Sequence, residues 1–202
     1  MLREATKQRF DKGDFNVIQL RRSVSLDILQ WNELPGDERF LLQSAYQARG
    51  KASAPYSHYK VGAAILWSNS RVSTGCNIEN CVYNALHAEK SAIASGISQY
   101  GVSRIRKIAV RGGPESDERH LLMTTIAEEE FRRLAAQVKF VDASFSCGQC
   151  LQDILEYSYG QPEDLIMLEA KDSGVILRST LDDVLPGRFG PADLGIHYGQ
   201  AK

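Results

Sequence analysis

Two short segments hold the residues best able to do chemistry, His87-Ala88-Glu89 and Cys147-Gly148-Gln149-Cys150. A Cys-x-x-Cys on the first turn of a helix puts both sulfurs on one face, within reach of a single ion. The helix N-terminus lowers the thiol pKa toward the metal-binding thiolate. With His87 as a third ligand, one of zinc's four tetrahedral positions stays open for water, the layout of a catalytic centre rather than a structural one. Two thiolates, a neutral imidazole and Zn²⁺ sum to zero charge. Glu89 stands two positions from His87, beside the metal without needing to bind it, where a carboxylate can take a proton from water and hand it on.

Each piece alone is weak. One Cys-x-x-Cys can be redox-active, and a lone histidine is more often a satisfied core or surface residue. A structural zinc site needs a fourth ligand, and His58, His120, His197, Cys76 and Cys81 show no metal-ligand spacing with the others. Together with Glu89 the residues match the zinc-deaminase signature, His-x-Glu with a later Pro-Cys-x-x-Cys. Position 146 is serine where that pattern has proline, so the loop gains a backbone N–H and loses a fixed φ. A geometric adjustment, with the metal retained, is expected.

The chain around these segments has 202 residues, 43% hydrophobic and 24% charged, which suits one globular domain and excludes disorder or a fibre. Its 24 Lys and Arg against 25 Asp and Glu give a net charge of −1, so no global positive field exists to hold a polynucleotide. A small, nearly neutral ligand fits better. The longest apolar run, Val61 to Trp67, is far short of the ~20 residues that cross a bilayer. The start, MLREATKQRFDKGDF, has no apolar leader region, so a cytoplasmic protein is expected. Four cysteines are too few for a disulfide framework.

Periodicity predicts a helix over Glu38 to Lys51 with Phe40, Leu41, Leu42, Ala45 and Ala48 on its apolar side, and a hairpin of Tyr59 to Trp67 with Val72 to Cys76. A helix over Leu86 to Tyr100 and a strand over Ile105 to Val110 follow. An acidic surface insertion then spans 113–137, with a helix through Phe131, Leu134 and Ala135. An extended stretch over Val138 to Val141, a helix over Cys147 to Tyr157, and strands at Leu165 to Leu168 and Val175 to Arg178 complete the order. The expected architecture is α/β, three layers with a mixed sheet of about five strands between helices. Residues 1–37 read as an arm, its first 22 residues a solvated, partly helical segment with six basic side chains, and SVSLDILQW as helix-compatible. Partner binding or subunit clasping is the alternative role for that arm.

From about residue 40 to 195 the sequence resembles the cytidine deaminase family. Ala54-Pro55-Tyr56-Ser57-His58-Tyr59-Lys60-Val61-Gly62-Ala63-Ala64 looks like its first strand, Gly75-Cys76-Asn77-Ile78-Glu79-Asn80 like its nucleoside-binding segment, and LPGRFGPADL like its tail. The resemblance implies a cytidine-deaminase-like domain over 38–195, after a 1–37 extension and before a 196–202 tail. It implies hydrolytic deamination of cytidine or deoxycytidine in pyrimidine salvage, with Zn²⁺ on His87, Cys147 and Cys150 and Glu89 as the acid-base residue. Asn77 and Glu79 would hold the ribose hydroxyls, Tyr59 would pack on the pyrimidine, and Ala88 would line the substrate site. A homo-oligomer is implied, a tetramer or alternatively a dimer, in which Phe189 reaches into an adjacent subunit's pocket. No nucleic acid or membrane partner is implied. The 58 residues from Glu89 to Cys147, Leu151 where relatives carry arginine, and Lys90 beside Glu89 depart from the pattern. Another cytosine-like heterocycle as substrate, or a non-catalytic zinc-stabilised interaction protein, are the alternatives.

Overall fold

The computed structural model describes residues 6–12, 15–115, 125–139, 145–171 and 173–196. Along the chain run β1 (Thr6–Lys12), β2 (Phe15–Arg21), β3 (Asp27–Leu29), α1 (Gly36–Arg49), β4 (Tyr59–Trp67) and β5 (Val72–Cys76). Then come α2 (Ala88–Tyr100), β6 (Ile105–Pro114), α3 (Glu128–Ala135), α4 (Gly148–Glu156), β7 (Ile166–Ala170), β8 (Ile176–Thr180) and the single turn α5 (Leu181–Val184). β1 and β2 pair with each other, and the other six strands form one sheet in the order β3-β8-β7-β6-β4-β5. Only β6 and β7 are parallel neighbours in that sheet, joined by a crossover that carries α3 and α4.

β4 is apolar almost throughout because it is covered on both faces, and Ala63, Ala64, Ile65 and Trp67 are all buried. Leu41, Leu42 and Ala45 of α1 pack on one face of the sheet with Ala64, Ala109 and Leu168. Ala92 and Ile93 of α2 and Ile154 and Leu155 of α4 pack on the other with Ala63, Ile65 and Ile108. This is the expected three-layer arrangement. No helix among the described residues is long and apolar enough to cross a membrane.

Two glycines set how close the helices come. A Cβ on Gly62 would lie 2.0 Å from the Ala45 carbonyl oxygen of α1, and one on Gly75 would lie 2.2 Å from the Ala92 nitrogen and 2.6 Å from the Ala88 oxygen of α2. Backbone thus meets backbone on both sides of the hairpin. The first turn of α2, which carries Glu89, sits directly on β5.

The sheet departs from the expected count: it has six strands, because β3, inside the segment read as helix-compatible, pairs with β8. That strand is three residues long and exists through a partner about 150 positions away, which a local periodicity cannot register. Within the first 22 residues, Thr6–Lys12 and Phe15–Arg21 likewise pair as antiparallel strands where a partly helical segment was expected, with Lys12 opposite Phe15. The β-branched and aromatic content of FNVIQLR, which follows Gly13-Asp14, is the signal that favours strands. Phe40 is 54% exposed, so the apolar side of α1 begins at Leu41. β6 continues through Gly113 and Pro114, the start of the segment read as an insertion. Its Asp117, Glu118 and His120, together with Phe140, Val141 and residues 197–202, lie outside the described residues, while Glu128, Glu129 and Glu130 form the first turn of α3. Val138 and Lys139 adopt no regular structure.

Gly75→Ala is expected to lower Tm by roughly 2–12 °C in calorimetry, from overpacking of about 1–3 kcal/mol in a chain of this size. An unchanged Tm would mean that β5 and α2 can separate without loss.

Candidate active site

His87 and Cys147 occupy equivalent positions on two helices: each is the N-cap residue, with extended backbone at φ −74° and ψ 152° for His87 and φ −70° and ψ 162° for Cys147. Neither side chain is spent on capping its own helix. Cys150 follows one turn into α4 and is buried, whereas His87 and Cys147 are exposed. Lys90 of α2 pairs with Asp153 of α4 at 3.0 Å, so its charge ties the two helices together. His87 Nδ1 lies 3.2 Å from Cys150 Sγ and 3.4 Å from Cys147 Sγ, and the three donor atoms all fall within 4.8 Å of one another.

This donor set suits a divalent ion. Burial pushes the Cys150 thiol well above its ordinary range, and the carboxylate of Glu89 and the neighbouring Cys147 push it the same way. Thiols so placed ionise readily only beside a compensating cation, and an imidazole with two sulfurs is a borderline-soft set of the kind zinc takes.

A cavity of about 420 Å³ opens beside the three donors. Glu89, only 5% exposed, forms its inner wall with His87, Ala88 and Cys147. Tyr59, Asn77 and Glu79 line it from the hairpin and the chain that follows. The Tyr59 ring lies over Gly112, where a Cβ would come within 2.9 Å of its hydroxyl. Asn77 is buried, its Oδ1 accepting from the Val61 N–H at 2.8 Å and its Nδ2 donating to the Tyr59 carbonyl at 3.0 Å. Glu79 accepts from the N–H groups of Tyr56 and Ser57 at 2.9 and 3.1 Å and from the Ser57 hydroxyl at 2.5 Å. The Ser57 hydroxyl, foremost among these donors, holds the Glu79 carboxyl below its ordinary pKa, so it remains an ionised acceptor.

A family model for the cytidine and deoxycytidylate deaminase zinc-binding region matches residues 36–161, which include both donor segments. The chain belongs to this deaminase family. It is 32% identical over 166 residues to a cytidine deaminase of Mycobacterium tuberculosis, covering 82% of this chain and 94% of that one. It is 31% identical over 160 residues to the cytidine deaminase of Sporosarcina psychrophila, covering 78% and 95%. Among solved structures, cytidine deaminase from Mycobacterium tuberculosis superposes with a TM-score of 0.53 at 29% identity, covering 77% of this chain and 99% of that one. The enzyme from Burkholderia pseudomallei gives 0.53 at 28%, covering 77% and 100%.

The deaminase cavity therefore gathers seven of the residues expected from the sequence, Tyr59, Asn77, Glu79, His87, Ala88, Glu89 and Cys147, with Cys150 just behind them. Phe189 is not among them. It lies 60% exposed on the tail, its carbonyl accepting from Gln152 Nε2 at 2.7 Å. Ser146 also lines the cavity, and its hydroxyl turns back to the Phe145 carbonyl at 2.6 Å. Leu151 is buried in the core beneath α4. The sequence reading missed Phe145 and Glu169, both lining the cavity. Glu169, a carboxylate inside the apolar strand DLIMLEA and only 8% exposed, was the available signal for the second. Ser57 stood inside a quoted block without a role.

Asn77→Ala would leave a strand N–H and a carbonyl of β4 without their partner. A loss of about 1–3 kcal/mol, or roughly 2–12 °C in Tm, is expected in thermal unfolding. A Tm within about a degree of the parent would show that water replaces the amide.

Proposed function

We propose that this protein catalyses hydrolytic deamination of cytidine and deoxycytidine to uridine and deoxyuridine, a step of pyrimidine salvage, with one zinc held by His87, Cys147 and Cys150. The observation that carries it is the buried Glu89 at the point where the three donors converge on one cavity. When bound, zinc supplies a water of lowered pKa and a positive charge near C4 of the pyrimidine. Glu89 accepts the proton of the attacking water and places it on ring N3. As the new C4–O bond becomes a carbonyl, the same carboxylate moves a second proton to the amine. The C4–N bond then breaks and ammonia leaves.

The other residues bind and orient. Tyr59, Val61 and Phe145 supply apolar surface for a planar ring, Ala88 leaves room beside Glu89, and Asn77 and Glu79 face the sugar hydroxyls. Three glutamates, Glu79, Glu89 and Glu169, line the cavity, and no lysine or arginine does among the described residues. Such a lining disfavours a phosphorylated substrate and suits an uncharged nucleoside.

Purified protein should release ammonia from cytidine, and poorly from free cytosine or deoxycytidylate. Glu89→Gln should keep its zinc and lose at least about a hundredfold in turnover, while Cys150→Ala should lose the metal. Less than tenfold loss in the first, or full zinc in the second, removes that residue from its role.

We also propose that Phe189 closes the cavity of a neighbouring chain in a homo-oligomer, a tetramer with a dimer as the alternative. Support comes from its exposure and from Val82, Tyr83 and Leu194, which are 73%, 85% and 66% exposed. Pro186 and Pro191 stiffen the segment that carries it. Light scattering should give four chains; a fully active monomer overturns the shared site.

A further inference from the structure

We propose that Ser57 is a positioning residue, which fixes the Glu79 carboxylate so that it offers one acceptor to one sugar hydroxyl and thereby sets the affinity for the nucleoside. The inference rests on the assignment of Glu79 to the sugar. Its basis is the hydrogen bonding of the 54–58 loop. The hydroxyl of Ser57 donates to Glu79 Oε1 at 2.5 Å and accepts the N–H of Tyr59 at 3.1 Å. One oxygen atom thus links the carboxylate to the residue that begins β4 and faces the base. Glu79 Oε2 is occupied by two successive backbone N–H groups, those of Tyr56 and Ser57. A carboxylate has about four lone-pair positions. Three are taken by the protein's own donors, and the remaining one lies on Oε1, the oxygen that Ser57 holds.

The loop itself is rigidly tied. The His58 N–H donates to the Ala54 carbonyl at 3.0 Å, the Ser53 N–H donates to Asn77 at 3.1 Å, and the Glu79 N–H donates to Ser53 at 2.9 Å. His58 takes a left-handed backbone at φ 54°, which turns the chain from the loop into β4. The backbone around Glu79 is therefore held without Ser57, and what the hydroxyl adds is the rotation of the carboxylate about its side chain. Without it, the two N–H groups still hold Oε2, but Oε1 loses its one protein donor and the bound sugar must order it. That entropic loss falls on binding rather than on proton transfer, because Glu89 and the three metal donors sit on α2 and α4 and are untouched.

The test is a double-mutant cycle on the zinc-loaded full chain with cytidine. Ser57→Ala should raise KM roughly five- to thirtyfold, with kcat within about twofold and Tm nearly unchanged, and Ser57→Thr should restore most of the affinity. In a Glu79→Ala background, Ser57→Ala should change KM less than about twofold, because the hydroxyl acts through the carboxylate. Equal effects of Ser57→Ala in both backgrounds, or a fall in kcat and Tm in place of a rise in KM, would overturn the proposal and leave Glu79 in its role. A Glu79→Ala variant with parental KM would instead remove the sugar assignment, and the proposal with it.

Discussion

Everything in this molecule is arranged around two helix N-termini that end at one place. α2 and α4 each begin at a residue able to bind metal, and both begin where the first backbone N–H groups have no intrahelical partner. Each terminus carries partial positive charge, which favours negative groups placed there. The same convergence is unfavourable for a buried Cys150 thiolate beside Glu89 unless a cation joins it, as the upward push on that thiol shows. The sheet brings the three donors together, and a cation among them would offset the repulsion between Cys150 and Glu89.

The convergence depends on packing that leaves little slack. α2 touches β5 at Gly75 with backbone on backbone, and the Trp67 ring fills the space beside Gly96, so α2 cannot slide without meeting one or the other. The Trp67 indole is held by the Ser73 hydroxyl at 2.8 Å, and that hydroxyl donates to the Ala92 carbonyl at 2.8 Å. β4, β5 and α2 thus share one buried polar chain. α4 is fixed from the other side by Leu151, Ile154 and Leu155 in the core and by the ion pair of Asp153 with Lys90. The position of Leu151 gives the apolar residue there a packing role in this chain.

The site was largely legible in the sequence because its chemistry is local. His87 with Glu89, Cys147 with Cys150, and Asn77 with Glu79 each lie within three residues, and such spacings survive any folding of the rest. The central strands were legible as well, since Tyr59–Trp67 and Val72–Cys76 carry their burial in their composition. What failed was non-local. β3 depends on β8, and the exposure of Phe40 depends on where the α1 side meets the sheet. The double use of Asn77 and Glu79 was also hidden. A polar pair two positions apart signals a ligand contact, but nothing in it says that the chain's own N–H groups and carbonyls take most of the capacity first.

The N-terminal extension shows how far that non-local dependence reaches. Without β3, β8 would end the sheet with a row of unpaired backbone groups, and an open edge invites pairing with other chains. β3 covers that edge, reinforced by Arg178 with Asp27 at 3.3 Å and by the Ser179 hydroxyl donating to the Ser25 carbonyl at 2.7 Å. A few residues before it, Arg22 pairs with Asp182, and Asp182 also holds Arg188 at 2.6 Å. Arg188 immediately precedes Phe189, so one carboxylate joins the extension to the tail. A segment that precedes the matched family region is thereby stitched to the stretch carrying Phe189, and the geometry of the tail depends on residues that no motif in the sequence connects with it.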